Sequence, residues 1–112
     1  MEFFEEKKGQ ATIFSLKGRL DSSTSPDLEH AILQSIEKGS KEVVLDLSSL
    51  DYISSAGIRV LVHCLKKIEK KHGHFFLASI PKSIEDVLYK TGFLPYFKVF
   101  EKKAQALKAL SK

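Results

Sequence analysis

Two hydrophobic rhythms alternate along this chain. Val43, Val44, Leu45 and Leu47 form an apolar run broken only by Asp46, the pattern of a central strand covered on both faces. Further on, Ile58, Leu61, Leu65 and Ile68 recur at helical spacing with Val62 beside them, while Arg59, Lys66, Lys67 and Lys70 fall largely on other sides. A short polar connection ending in Ser54-Ser55 separates the two. Upstream, residues 2–8 and 10–18 read as two strands of a hairpin that turns at Gly9. Asp21-Ser22-Ser23-Thr24-Ser25-Pro26 is a dense cluster of capping and turn residues. From Pro26, the positions Leu28, Ile32, Leu33 and Ile36 predict a helix that stops near Gly39. Downstream, Gly73 is expected to end the central helix and residues 75–78 to form a strand. A helix over 81–90 closed by Thr91-Gly92, a short last strand over 96–100 and a tail helix over about 102–110 complete the reading.

The predicted order is β-β-α-β-α-β-α-β-α. Strands alternating with helices imply parallel pairing with right-handed crossovers, and the opening hairpin adds an antiparallel edge. The expectation is an α/β fold: one domain over residues 1–112, a mixed β-sheet of about five strands, and about four helices.

Composition narrows the function classes. At 112 residues the chain has room for one core but not two, and 43% hydrophobic with 29% charged residues is ordinary for a globular protein. The apolar runs are too short to cross a bilayer, and the N-terminal segment through Glu6 carries acids where a signal peptide needs positive charge. A cytoplasmic location is expected. Cys64 is the only cysteine, so it forms no internal disulfide, and its apolar neighbours mark it as core filler. The net charge of +4 owes much to Lys66, Lys67, Lys70 and Lys71 on one helix and to lysines near the C-terminus. No nucleic-acid-binding motif accompanies them, so they read as a solvated face and no direct nucleic-acid partner is expected.

The serine pair is the first candidate for chemistry. A helix start presents unpaired N–H groups and partial positive charge. One serine, Ser54, suits the capping position, but a cap needs only one hydroxyl, which leaves Ser55 exposed and modifiable. Gly57 costs about 1 kcal/mol of helix propensity relative to alanine, which a close approach by a partner, or close packing on the sheet, would explain. Ser55-Ala56-Gly57 is also half of a nucleophile elbow, but Ile53 stands where the other half needs a small residue. His63 lies about 12 Å further along the same helix, and a small serine hydrolase is only a distant alternative. The remaining histidines show no ligand spacing beyond His72-x-His74, and no phosphate-cradling glycine motif occurs. No catalytic residue, cofactor or metal is expected, and the chain does not read as an enzyme.

Gly18-Arg19-Leu20-Asp21 with Ser22, Ser23 and Thr24 is the second constellation. Asp21 suits a cap or a turn. Both polar loops leave a strand toward a helix, so they are expected side by side at one edge of the sheet, as a recognition surface rather than a closed pocket.

Together, Gly18-x-Leu20-Asp21, Asp46-Leu47-Ser48, Ser54-Ser55-Ala56-Gly57 and the later Thr91-Gly92-Phe93 with Phe97 and Phe100 resemble the STAS-domain anti-sigma-factor antagonist family, over about residues 3–100. The resemblance implies a STAS-like fold and a phosphorylation-controlled binding switch. Such a protein binds an anti-sigma factor that is also a serine kinase, so freeing a sigma factor; the kinase phosphorylates the antagonist and a serine phosphatase resets it. Alignment to the family's Asp-Ser-Ser/Thr-Gly turn places the phosphoacceptor on Ser55, with Ser54 as competitor. Ser54 then occupies the usual aspartate position, and Ala56 that of the second hydroxyl residue. The implied partner interface comprises Asp21, Ser22, Ser23, Thr24, Ser54, Ser55, Ala56, Gly57 and Arg59. The alternative within the family is an adaptor subunit of a lipid-transport or stressosome-type complex, acting without phosphorylation.

Overall fold

Val43, Val44 and Leu45 are all completely buried, so the strand that carries them has apolar layers on both faces. The computed structural model describes residues 1–111. Its strands are β1 (Glu2–Lys8), β2 (Ala11–Leu20), β3 (Glu42–Ile53), β4 (His74–Ala78) and β5 (Lys98–Phe100). The helices are α1 (Ser25–Glu37), α2 (Ser55–Lys70), α3 (Lys82–Lys90) and α4 (Lys103–Leu110), with a single 3₁₀ turn at Leu94–Tyr96. The five strands lie in sequence order, β1 antiparallel to β2 and every later pair parallel. This is the mixed sheet that the hydrophobic pattern predicts.

The sequential order has a physical consequence. Crossovers of one hand between successive neighbours deliver their helices to the same face of the sheet. Leu28 and Ile32 of α1, Ile58 and Leu61 of α2, and Ile84 and Leu88 of α3 accordingly share one core with Phe14, Val43 and Leu45. Side chains alternate along a strand, so Ile13 and Val44 point the other way. There they form a smaller core with Ala78 and Ala106, which the tail helix α4 closes with Leu107 and Leu110.

β3 is where the structure departs most from the sequence pattern. The apolar run predicts a strand of five residues, whereas β3 runs for twelve. Pairing with β2 slips twice, between Ser15 and Lys17 and between Gly18 and Arg19, each time inserting an extra residue on β3. Such bulges twist the strand and break its two-residue period. Leu47, Leu50 and Ile53, three residues apart, therefore all reach the main core. Asp46 supports the first bulge by accepting a hydrogen bond on Oδ1 from the Ser48 N–H at 3.0 Å.

Smaller differences have local causes. Gly73 does not supply the left-handed residue after α2; His72 does, at φ +60°. Gly73 is small because a side chain there would press on the Lys41 backbone. Tyr96 belongs to the 3₁₀ turn rather than to the last strand, which Pro95 delays until Lys98. Cys64 is fully buried in α2, and burial, helped by the Glu29 charge, pushes its thiol up to about 12. Because the thiolate is the reactive form, Cys64 is expected to resist alkylation at pH 8 in the folded protein and to react at the rate of a free thiol in denaturant. Mass spectrometry of iodoacetamide-treated samples checks this.

Candidate functional site

The carboxyl ends of β2 and β3 hold the two polar loops together. The Ser54 N–H donates to the Leu20 carbonyl at 2.9 Å, so the residue before α2 is tied to the residue before the Asp21 loop. The side-by-side placement predicted for these loops is thus carried by a backbone bond.

Ser54 is the N-cap of α2. Its backbone is extended and its Oγ accepts the Gly57 N–H at 3.3 Å, which satisfies one of the helix's free donors. Ser55, the first helical residue, is exposed, and its hydroxyl makes no hydrogen bond among the described residues. The first turn of α2 contains no acidic residue, so the helix itself supplies no carboxylate to offset its positive end. Ala56 is half-buried and Arg59 exposed.

Gly57 occupies a different position from its neighbours. It is buried, and a Cβ there would lie 2.9 Å from both the Leu20 carbonyl oxygen and Leu20 Cγ, and 3.0 Å from Ile53 Cγ1. The closeness of α2 to the end of β2 accounts for the glycine through packing within the fold. Leu20 of the Gly18-x-Leu20-Asp21 element is the other half of that packing. Gly18 adopts a φ of +105°, a conformation side chains disfavour, where the β2–β3 register slips.

Asp21 organises its own loop. Its Oδ1 accepts from the Ser23 N–H at 3.0 Å, the Ser23 hydroxyl at 2.8 Å and the Thr24 N–H at 3.2 Å, and lies 3.3 Å from the Thr24 hydroxyl oxygen. These bonds, those to Ser23 foremost, hold its carboxyl below the usual carboxylate value. The Thr24 hydroxyl also donates to the Arg19 carbonyl at 2.8 Å, so α1 starts from a turn built by Asp21 and not from a side-chain cap on Thr24. Ser22 and Ser23 are exposed, and Asp21 and Thr24 half-buried. Asp21→Ala is therefore expected to lower the melting temperature by a few degrees, whereas Asp21→Asn retains most of the turn. The sign of the pH effect follows from the lowered value. The contribution of Asp21 to stability is present above the unfolded carboxylate's titration and is lost as pH falls through the lower folded one. Thermal melts of wild type and Asp21→Asn between pH 7 and pH 3 check this: the stability gap should narrow toward acid.

Two features of this edge carry no signal in the sequence pattern. Arg19 lies over the Tyr52 ring at 4.1 Å from its centroid, with its Nε 3.9 Å from Asp21 Oδ2. Tyr52 remains 41% exposed, so the pair forms a braced aromatic platform beside the serine turn. Along α2, His63 Nδ1 meets Glu29 Oε2 of α1 at 2.7 Å, which engages the ring with a neighbouring helix rather than with a serine. Among the described residues no group of three His, Cys, Asp or Glu side chains could hold a metal ion, and no helix is long and apolar enough to cross a membrane.

Comparison with known proteins completes the description. Residues 5–106 match the STAS domain family. The chain is 33% identical over 109 residues to BtrV of Bordetella bronchiseptica, a candidate anti-sigma factor antagonist, covering 97% of this chain and 94% of that one. In fold it resembles a candidate anti-sigma factor antagonist from Thermotoga maritima at a TM-score of 0.92, with 22% identity over 98% of this chain and 95% of the other. It also resembles the phosphorylated form of the Bacillus cell-fate determinant SpoIIAA at a TM-score of 0.77, with 17% identity over 97% and 99% of the two chains. With its five-stranded mixed sheet, its serine-capped central helix and a family match over all but its ends, this chain belongs to the STAS domain family.

Proposed function

We propose that this chain is an anti-sigma factor antagonist that works as a phosphorylation-controlled binding switch. In this reading the unmodified protein binds a serine-kinase anti-sigma factor through the edge formed by the Asp21 loop and the start of α2, and a sigma factor is released. Phosphorylation of Ser55 breaks the complex, and a serine phosphatase restores it. The observation that carries the reading is the division of labour between the two serines: Ser54 is spent on the cap, while Ser55 is exposed and its hydroxyl has no partner among the described residues. The resemblance to BtrV supports the partner class.

The local electrostatics suit such a modification. A phosphate adds about −1.5 to −2 charges at neutral pH, and a helix N-terminus accommodates an anion. The neutral serine at position 54 also spares that phosphate an adjacent carboxylate. The test is phosphate transfer from the cognate kinase and ATP to wild type, Ser54→Ala and Ser55→Ala. Loss of incorporation with Ser55→Ala alone is expected. Incorporation that survives Ser55→Ala and vanishes with Ser54→Ala would move the switch to the cap. A protein that neither binds the kinase nor accepts phosphate would be an adaptor instead.

A further inference from the structure

The face of α2 that begins at Ser55 continues into a groove. Ser55, Arg59, Val62 and Lys66 are spaced by four, three and four residues, so they line one face of the helix. Beside that face lies an open depression of about 500 Å³, bounded by α2, by Glu29 of α1 and by Phe93 after α3. Val62 and Phe93 are half-buried against the main core and leave part of their surface in the groove. Arg59 and Lys66 stand exposed on its rim, and neither pairs with a carboxylate among the described residues. Glu29, the only acid lining it, is already bonded to His63. Lys70 extends the positive stripe by one further turn.

An apolar floor with an unpaired basic rim selects a particular occupant. We infer that the groove seats an acidic amphipathic segment of the anti-sigma factor, with apolar side chains on Val62 and Phe93 and carboxylates toward Arg59 and Lys66. The inference rests on the binding switch proposed above and extends its surface about three turns along α2. A nucleic acid is the less suitable occupant, because Glu29 lines the wall and no nucleic-acid-binding motif accompanies the basic residues. The groove also ties the modification to recognition. A phosphate on Ser55 lies one helical turn from Arg59 on the same face, where it competes with the partner's carboxylates for that guanidinium.

The experiment measures dissociation constants by calorimetry between the full chain and the kinase that phosphorylates it, at low and at physiological salt. Three proteins are compared: wild type, Lys66→Glu, and Lys7→Glu on the edge strand β1. Lys66 is exposed, so its replacement leaves the fold intact. Lys66→Glu is expected to weaken binding about tenfold or more at low salt, equivalent to about 1.4 kcal/mol. Lys7→Glu should change it less than about twofold, since a distant exposed charge is largely screened. Equal losses in both variants would reduce the effect to overall charge and overturn the groove. An unchanged constant for Lys66→Glu, with binding still lost on phosphorylation, would overturn the groove alone and leave the switch standing. Absence of wild-type binding would remove both. Binding of a labelled oligonucleotide that disappears with Lys66→Glu would assign the stripe to nucleic acid and overturn the inference.

Discussion

Under the proposed switch, phosphorylation of Ser55 is expected to weaken binding to an anti-sigma factor more than about a hundredfold while leaving the fold's stability almost unchanged. The two halves of that result have different causes. Within the folded domain the phosphate sits at the first residue of α2, beside free N–H groups and a first turn without acids, so its charge is locally favourable. Across an interface the same group must be dehydrated, and an unpaired buried charge costs several kcal/mol; about 3 kcal/mol already exceeds a hundredfold. Ser55→Asp separates the contributions. Its single carboxylate should stabilise the helix start by about 0.3–1 kcal/mol and weaken binding only partly, because it carries less charge than phosphate. Calorimetric titration gives the binding side and urea unfolding the stability side. A phosphorylated protein that unfolds early would show that Ser55 is structural and that the loss of binding is a by-product.

Gly57→Val is expected to produce the largest change in stability, a loss of about 3 kcal/mol or somewhat more. The side chain has nowhere to go. Its Cβ alone would stand 2.9 Å from the Leu20 carbonyl oxygen, and that oxygen is fixed by the Ser54 N–H. Relief requires α2 to move off the end of β2, which breaks this bond and opens the core at Leu20 and Ile53. Gly57→Ala should cost less, since alanine recovers about 1 kcal/mol of helix propensity against the same crowding. Urea titration reads both as a lowered midpoint at constant slope, and the Ser54 amide should lose hydrogen-exchange protection in step. A valine variant as stable as wild type would show slack in the turn and return the glycine to the explanation of a partner's close approach.

The serine turn was legible in the sequence because its determinants are local. Two adjacent serines after a buried run and before a helical stripe place a cap and an exposed hydroxyl with no knowledge of the remaining chain, and Ser54 and Ser55 take those two roles. Asp21 was legible only as a choice between turn former and contact. Its side chain can bond the backbone two and three residues on in any fold, and here it does so. Gly57 was legible only as a choice between a partner's close approach and close packing on the sheet, because a sequence carries no distance and the atom that excludes a side chain belongs to Leu20, thirty-seven positions earlier.

The same division runs through the whole fold. Period and capping along the chain determined the order of elements and the presence of a helix start at Ser54, since each depends on neighbours within one or two turns, and the alternating order in turn implies the parallel centre of the sheet. The twelve-residue length of β3 depended on register with β2, where two bulges bring Leu50 and Ile53 into the core against the strand period. The platform of Arg19 on Tyr52 and the groove between Arg59, Lys66 and Phe93 likewise join residues from different elements. Such pairings arise only when the sheet is assembled, because the contact energy lies between segments that the chain's local preferences never compare.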